Sequence, residues 1–384
     1  MPVTFAVPSG PLQGAYDGVL VLTDLEADDA IALKVLAARL RGVPLLVVVG
    51  EGDADKTAFA AGLLGWLGLD SDAVVVQSRR STTRFPAQLA HLYAEDTGQA
   101  RVVPLPAAAL PAGSEEAETA AERFAGEQIE AFLIELSHPL ALFLKPPHEM
   151  LHVSSAAKVK TSAALYGSFN LSQLRDQHWP AGRKDALELE FLRSFGAVLW
   201  LERSAACGRD CNLDARSAPA LWAASVAVDA KLELHIRHWN QAIVHRSCGD
   251  IGMGTEEVER LLQARDMDPA EVASRSAEGA WVERKLNKII LPNIRVDCMQ
   301  ACHADTLVVA CLVDDHSKLA PFLRYTDPIR DAKGGIGLAL APKPEDGQSC
   351  PISTVVTAEG DERVAFVAAS FAVLAAALPP PTGA

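Results

Sequence analysis

The stretch that decides the fold is VLVLTDLEADDAIALKVLA, residues 19–37. Its first four residues are Val and Leu, a continuous apolar run typical of a parallel strand buried on both faces. The Ala- and Leu-rich residues at its end have helical spacing. Between these two elements, Asp24, Glu26, Asp28 and Asp29 place four acids within six positions. The sequence therefore predicts a strand, an acidic turn and a helix.

The first half of the chain repeats this alternation. Apolar strands are predicted at GVLVLTD, VPLLVVVGEG and DAVVVQS, and Ala- and Leu-rich helical segments separate them. Strands and helices that alternate through short links indicate a doubly wound, Rossmann-like α/β core, with a mainly parallel central sheet flanked by helices. In such open sheets, ligands bind at the carboxyl edge of the strands. The acidic turn lies at that edge.

The later elements follow a less regular pattern. IEAFLIELS (129–137) reads as a buried strand and HPLALFLK (138–145) as the start of a helix, while residues 364–378 read as a strand followed by a helix. GIGLALAP and STVVTAEGDERVAFVA suggest a late hairpin. We expect one domain over residues 1–384, with a divergent or inserted region at about 204–250.

Composition limits the classes of partner. The chain has 384 residues, 49% of them hydrophobic and 22% charged, and a formal net charge of −14. So acidic a balance argues against nucleic acid as the main partner, because phosphate binding needs clustered Lys and Arg. The N-terminus has no signal-peptide pattern, and the most apolar late segment is shorter than a membrane span. We therefore expect a soluble cytoplasmic protein without a membrane partner.

The seven cysteines allow two interpretations. Their odd number in a chain this large argues against a disulfide scaffold. Cys207 and Cys211 are four positions apart, as are Cys298 and Cys302, and His303 follows directly, so a zinc site can be drawn from them. The alternative is a set of free, mostly buried thiols in a reducing compartment.

The acidic turn also allows two interpretations. Asp and Glu in a first helical turn cap free N–H groups and offset the helix macrodipole, which explains one or two acids. Four acids in six positions repel one another, and a bound cation would remove that repulsion. Carboxylate oxygens are ligands for hard ions, Ca²⁺ or Mg²⁺.

The same stretch resembles the N-terminal signature of the inosine–uridine-preferring nucleoside hydrolase family, D-x-D-x-x-x-D-D at the end of the first strand. Asp24, Asp28 and Asp29 fall on the second, third and fourth aspartates of that pattern. ADTLVVACLVDD is similar to the family segment that supplies a late metal-binding aspartate, here Asp305. The order of elements agrees along most of the chain, and the poor stretch is Ser204 to Asp250.

The resemblance implies a nucleoside hydrolase-like fold and a Ca²⁺-dependent hydrolase of the N-glycosidic bond in a ribonucleoside or related ribosyl compound. Ca²⁺ is expected rather than Mg²⁺, and a homo-oligomer is left open. Asp24 is implied as general base. The metal ligands implied are Asp24, Asp29, Asp305 and the backbone carbonyl of Ser137. The substrate contacts implied are Asp28, Asn170 and Glu51.

Departures from the family pattern leave other functions open. Leu22 stands where the family has its first aspartate, Glu51 where a ribose-binding asparagine is expected, and Ala304 where many members have a leaving-group acid. A non-catalytic binding protein that keeps the fold, and even the ion, is therefore one alternative. Another is a Mg²⁺-dependent hydrolase of a phosphate ester, although no basic phosphate-binding group lies near the acidic turn in sequence.

Overall fold

The computed structural model describes the chain in thirteen ranges: 16–50, 54–78, 85–94, 98–105, 115–144, 163–169, 197–202, 212–301, 304–314, 318–330, 336–340, 352–355 and 361–379. Ten strands in these ranges form one sheet. In chain order they are β1 (Gly18–Thr23), β2 (Leu45–Val49), β3 (Ala73–Gln77), β4 (Arg101–Val103), β5 (Pro139–Phe143), β6 (Ala163–Phe169), β7 (Ala197–Glu202), β8 (Leu323–Arg330), β9 (Ile336–Leu340) and β10 (Ile352–Val355).

The strand order is β4-β3-β2-β1-β5-β6-β7-β10-β8-β9. Every pairing from β4 through β10 in that order is parallel, and β8 and β9 add an antiparallel edge. The predicted mainly parallel α/β sheet is therefore confirmed. Each residue of β1, β2 and β5 is buried, as expected for strands covered on both faces.

Twelve α-helices surround or extend this sheet in the described ranges. They are α1 (Ala27–Leu40), α2 (Ala54–Trp66), α3 (Ala87–Ala90), α4 (Glu115–Ile134), α5 (Pro219–Ser225), α6 (Ala230–Asp250), α7 (Thr255–Ala264), α8 (Pro269–Ala273), α9 (Gly279–Lys285), α10 (Leu291–Arg295), α11 (Ala304–Val313) and α12 (Asp361–Ala377). A π-helical turn at Leu286–Ile290 joins α9 to α10, and a short 3₁₀ turn spans Ala320–Phe322. None of the described helices has the length and apolarity needed to cross a membrane.

Helices α1, α11 and α12 pack against one another in the main core. A second apolar cluster joins the end of α6 to α7, α8, α9 and α10. Helix α6 therefore spans both cores, and it lies against α1 and α3 near the carboxyl edge of the sheet.

The predicted strand at residues 129–137 is wrong. Helix α4 continues to Ile134, and its buried residues recur at every fourth position, Ala121, Ala125, Ile129 and Leu133. That spacing belongs to a helix face, whereas the predicted helix start HPLALFLK contains β5, in which all five residues are buried. A short apolar run does not separate strand from helix by itself.

Two further predictions near the C-terminus are also wrong. Residues 364–378, read as a strand and a helix, lie within and just beyond the single helix α12. The two segments of the predicted hairpin, β9 and β10, do not pair with each other. Both flank β8, which pairs antiparallel with each of them.

Candidate metal centre

The acidic turn connects β1 to α1 at the carboxyl edge of the sheet. Strand β1 ends at Thr23, and α1 begins at Ala27 with Glu26 as its N-cap. Glu26 and Asp29 form a capping box, in which the Asp29 Oδ2 accepts from the Glu26 N–H at 2.9 Å. Leu25, which directly precedes Glu26, has a φ of 58°, the left-handed region that costs a Leu roughly 1–2 kcal/mol. The turn is thus compact and strained.

Three buried carboxyl groups meet beside this turn. One oxygen each from Asp28, Asp29 and Asp305 lies within 4.8 Å of the other two. Their exposed fractions are 5%, 0% and 6%. Asp28 and Asp29 lie in the first turn of α1, and Asp305 lies in the first turn of α11. The positive ends of two helix dipoles therefore point toward the cluster and partly offset its negative charge.

Asp29 is fixed by the backbone and side chain around it. Its Oδ1 accepts a hydrogen bond from the Thr23 hydroxyl, and its Oδ2 accepts from the Glu26 N–H. Each carboxylate oxygen has two lone pairs, so both can still bind a cation. Thr23 itself accepts a hydrogen bond from the Leu25 N–H at 3.0 Å. The strand end thus orients the carboxylate of the helix start.

Burial and like charge raise the pKa values of these groups. Desolvation is the largest cause for Asp29, followed by the charges of Asp24 and Asp28, and its pKa lies well above the usual range. Desolvation is also the largest cause for Asp305, whose pKa is raised further by Asp28, Asp29, Asp24 and Glu26. A hydrogen bond with Asp24 raises the pKa of Asp29 further.

The predicted ligands are arranged differently in the structure from what the family resemblance implies. Asp29 and Asp305 lie together, as expected from the resemblance. Asp28, expected to contact the sugar, is the third member of the close set. Asp24, expected to bind the ion, is half-buried and lies near enough to hydrogen-bond Asp29 and to act on Asp305 through its charge.

Ser137 is corrected by the structure. It lies just before the amino end of β5, because Pro139 pairs with Gly18 at the start of β1. Its backbone N–H donates to Asp17 Oδ2 at 2.5 Å. The acidic turn follows Thr23 at the other end of β1, so a carbonyl of Ser137 cannot reach an ion there. The error follows from the misread boundary between α4 and β5.

Two predicted substrate contacts, Glu51 and Asn170, lie outside the described residues, as does His303. Leu22, at the position of the family's first aspartate, is fully buried and pairs with Val48 in β2. That position is therefore part of the apolar core in this chain. Residue 304 starts α11, directly before Asp305.

Thr23 also belongs to the site, although it is not among the predicted site residues. Its hydroxyl lies between the Leu25 N–H and Asp29 and connects strand to helix. Its position could have indicated this role, because Thr23 is the last residue of β1 and lies directly before the acidic motif, at the ligand-binding edge of the sheet.

The donor set fits a hard divalent cation. The charged groups that act on Asp305 are all acidic, namely Asp28, Asp29, Asp24 and Glu26. The carboxylates offer oxygen atoms only, which Ca²⁺ and Mg²⁺ prefer. Burying carboxylates close together is unfavourable unless basic side chains, protons or a cation neutralise their charge.

None of the described cysteines and histidines is a member of the close carboxylate set. Cys248, Cys298 and Cys311 are buried free thiols, and burial raises the pKa of the first two to about 11. The other members of the zinc hypothesis lie outside the described residues. On α6, His235 is fully buried, and Trp239 is partly buried and packs against Phe85 with ring centroids 6.0 Å apart.

Comparison with known proteins gives distant similarities only. No protein-family model matches the chain, and no curated protein matches it significantly. Among solved structures, the chain is similar to the type III effector protein XopQ complexed with adenosine diphosphate ribose, at 15% identity and a TM-score of 0.45, over 94% of each chain. It is similar to the plant nucleoside hydrolase PpNRh1 at 12% identity and a TM-score of 0.41, over 92% of this chain and 98% of that one.

A purine-preferring ribonucleoside hydrolase from Gardnerella vaginalis is similar at 12% identity and a TM-score of 0.37, over 94% of this chain and 99% of that chain. Identities and TM-scores this low do not assign an activity.

Proposed function

We propose that the chain hydrolyses the N-glycosidic bond of a ribonucleoside or related ribosyl compound, with a Ca²⁺ ion at the carboxyl edge of the sheet. The observation that carries this proposal is the buried set Asp28, Asp29 and Asp305, whose oxygens lie within 4.8 Å of one another. We infer the ribonucleoside substrate class from the resemblance of the motif around Asp24 to the nucleoside hydrolase signature.

Burial and position suggest a different role for each aspartate of the site. Asp28, Asp29 and Asp305 would hold the ion, since they are the closest and most buried carboxylates. A carboxylate has two oxygens, so Asp28 can contribute one to the ion and one to a sugar hydroxyl. A Ca²⁺ ion bound there would supply positive charge that binds water and the ribose hydroxyls.

Asp24 is proposed as the general base. It is half-buried, so water and substrate can reach it, and it lies beside the buried set. Asp24 accepts a proton from the attacking water as the water oxygen bonds to C1′ of the ribose. The bond from C1′ to the base nitrogen breaks, and the base leaves with the electron pair and takes up a proton from solvent.

The experiment is ribose release from a panel of purine and pyrimidine nucleosides, with Ca²⁺ and with chelator. Loss of a general base lowers the rate by about 10²–10⁴-fold, so Asp24→Ala should retain folding and lose nearly all release. Asp17→Ala is the matched control, because it removes an aspartate from the opposite end of the same strand. Release that needs neither Ca²⁺ nor Asp24 would contradict the proposal.

A second candidate function is a non-catalytic binding protein that keeps the ion. The observation that favours it is the full burial of Leu22, which removes one carboxylate of the family pattern from the site. It predicts Ca²⁺ binding and nucleoside or ribosyl-ligand binding without ribose release. The same panel, read together with Ca²⁺ titration, separates the two functions.

A further inference from the structure

The departing base of the proposed reaction needs a proton, and the chain lacks the donor that the family resemblance implies. Ala304 stands at that position, at the start of α11, and a methyl group cannot donate a proton. Asp24 is assigned the opposite task, because it accepts a proton from the attacking water. A second titratable group at the carboxyl edge of the sheet could supply what Ala304 does not.

Lys56 is a buried lysine at this edge. It lies in the first turn of α2 and is only 6% exposed. Its Nζ donates to the backbone carbonyl of Gly50, with 3.4 Å between the two atoms. Gly50 directly follows β2, so the ammonium group lies at the carboxyl end of that strand. Lysines are almost never buried this far unless they are paired, and the mechanism described above makes no use of this one.

Hydrogen bonds connect Lys56 to the candidate metal centre. The N–H of Gly50 donates to the carbonyl of Thr23 at 2.8 Å, and the Thr23 hydroxyl donates to Asp29. Strands β1 and β2 are neighbours in the sheet, and paired strands lie about 4.8 Å apart. The two groups that flank a scissile glycosidic bond are about 5–10 Å apart in glycoside hydrolases. Neighbouring strand ends provide a separation of this order.

An aromatic ring lies beside the ammonium group. The Lys56 Nζ is 5.6 Å from the ring centroid of Trp239 on α6. The indole N–H of Trp239 is buried and has no hydrogen-bond partner among the residues that the structure describes. Nucleobases stack on aromatic rings and carry carbonyl and ring-nitrogen acceptors. The ring, its N–H and the ammonium group therefore suit a nucleobase.

We propose that Lys56 is a catalytic residue, the general acid that protonates the departing base. This role rests on the proposed function. As the bond from C1′ to the base nitrogen breaks, its electron pair passes to that nitrogen, which takes a proton from Nζ in place of one from solvent. The oxygen of the attacking water bonds to C1′, and Asp24 accepts the water proton. Lys56 is left neutral and Asp24 protonated, and proton exchange with solvent restores both.

The test compares leaving groups that need a proton with one that does not. Lys56→Met keeps most of the side-chain length and removes the donor. Ribose release from inosine and uridine should fall at least about 100-fold, whereas cleavage of para-nitrophenyl β-ribofuranoside should stay within about threefold, because nitrophenolate leaves as a stable anion. A lysine with a purely structural role predicts equal losses on all three substrates. Equal losses would therefore overturn the proposal.

Lys34→Met is the matched control. Lys34 lies in the middle of α1, where its Nζ donates to the carbonyl of Ser225 at 2.7 Å, pairs with Asp229 and lies 5.5 Å from the ring centroid of Trp66. The variant should lower the melting temperature and leave the ratio of nucleoside to nitrophenyl riboside cleavage within about twofold, because the two lysines share no partner. A ratio that changes as much as in Lys56→Met would mean that loosened packing explains both.

Lys56→Arg separates proton transfer from charge, and it serves as the test if Lys56→Met does not fold. A guanidinium group keeps the positive charge and the N–H donors but does not give up a proton. Release from the two nucleosides should stay slow, while the nitrophenyl riboside should be cleaved at nearly the wild-type rate. Nucleoside release at the wild-type rate would show that Lys56 contributes only its charge, and the general-acid role would be overturned.

The two levels of the account fail differently. If wild type and Lys56→Met release ribose from the nucleosides equally fast, only the general-acid role is overturned. The same holds if wild type cleaves the nitrophenyl riboside alone, since no acid then operates. If wild type cleaves none of the three substrates, the proposed function is wrong, and the role of Lys56 falls with it.

Discussion

The two ends of β1 both carry acids, and they use them in opposite ways. At the amino end, the exposed Asp17 accepts hydrogen bonds from the backbone N–H groups of Ser137 at 2.5 Å and His138 at 2.8 Å. At the carboxyl end, Asp29 and Asp305 are buried, and the charged groups around them are carboxylates. The strand rises about 3.3 Å per residue, so roughly 20 Å separates the two places.

The difference separates a structural acid from a functional one. Asp17 ties the start of β5 to the start of β1, and its charge is solvated and hydrogen-bonded to donors. The carboxyl-end acids raise one another's pKa values, so a second component, protons or a cation, must neutralise them. Aspartate thus has two different roles in this protein. Hydrogen-bond donors surround the structural aspartate, whereas other carboxylates surround the aspartates of the proposed cation site.

The largest expected effect is at Asp305. Asp305→Asn keeps the shape of the side chain and removes one of the three close carboxylates, so Ca²⁺ affinity should fall at least about 100-fold. The melting temperature in chelator should rise, because a buried carboxyl group that the others repel is gone. Competition with a fluorescent chelator measures the first effect, and differential scanning calorimetry measures the second. An unchanged affinity would remove Asp305 from the site.

A smaller effect is expected at Thr23. The Thr23 hydroxyl lowers the pKa of Asp29, so Thr23→Val should raise that pKa further and let protons compete better with Ca²⁺. One hydrogen bond to a charged group is worth about 1.5–3 kcal/mol, which corresponds to roughly tenfold or more in affinity. Ca²⁺ titrations should show a larger loss at pH 6 than at pH 8. A loss that does not vary with pH would contradict this reason.

Stability without metal should depend on pH with a defined sign. The folded-state pKa values of Asp29 and Asp305 are raised above 3.8, so the folded protein binds more protons than the unfolded chain between 3.8 and the raised values. The stability that these groups contribute is therefore complete below pH 3.8. It is lost as the pH rises from 3.8 through the raised folded-state pKa values.

Thermal melts compare wild type with Asp305→Asn in chelator across this pH range. The stability of wild type relative to the variant should decrease as pH rises, and saturating Ca²⁺ should cancel the decrease. A constant difference would mean that Asp305 is not titrating as an abnormal acid.

The smallest effect on metal binding is expected at the amino end of β1. Asp17→Ala removes two hydrogen bonds to backbone N–H groups, a loss of about 0.5–2 kcal/mol of the kind seen at helix N-caps. The melting temperature should fall, while Ca²⁺ affinity stays within about twofold. A large loss of Ca²⁺ binding would mean that the two ends of the strand are coupled, and the contrast between them would not hold.

Much of the fold near the site could be predicted from sequence. The apolar run before Asp24 predicted β1, and the helical spacing after it predicted α1, because local patterns are strong where strands are buried on both faces. Helix α1 ends at Leu40, and Gly42 just beyond it has a φ of 78°, a conformation common just past a helix C-terminus.

The parts that could not be predicted depend on contacts between distant segments. Ser137 was misplaced because an apolar run of nine residues fits both a strand and the end of a helix, and only packing against the sheet decides. The approach of Asp305 to the acidic turn was expected from family resemblance and not from any local pattern.

The most direct test of the account is calorimetric titration of the wild-type protein with Ca²⁺ in two buffers that differ in ionisation enthalpy. The account predicts one ion per chain and release of protons on binding, since burial and like charge raise the pKa values of Asp29 and Asp305 and the cation displaces the protons they hold. Absence of Ca²⁺ binding, or binding without proton release, would contradict the claim that these buried carboxylates form a cation site.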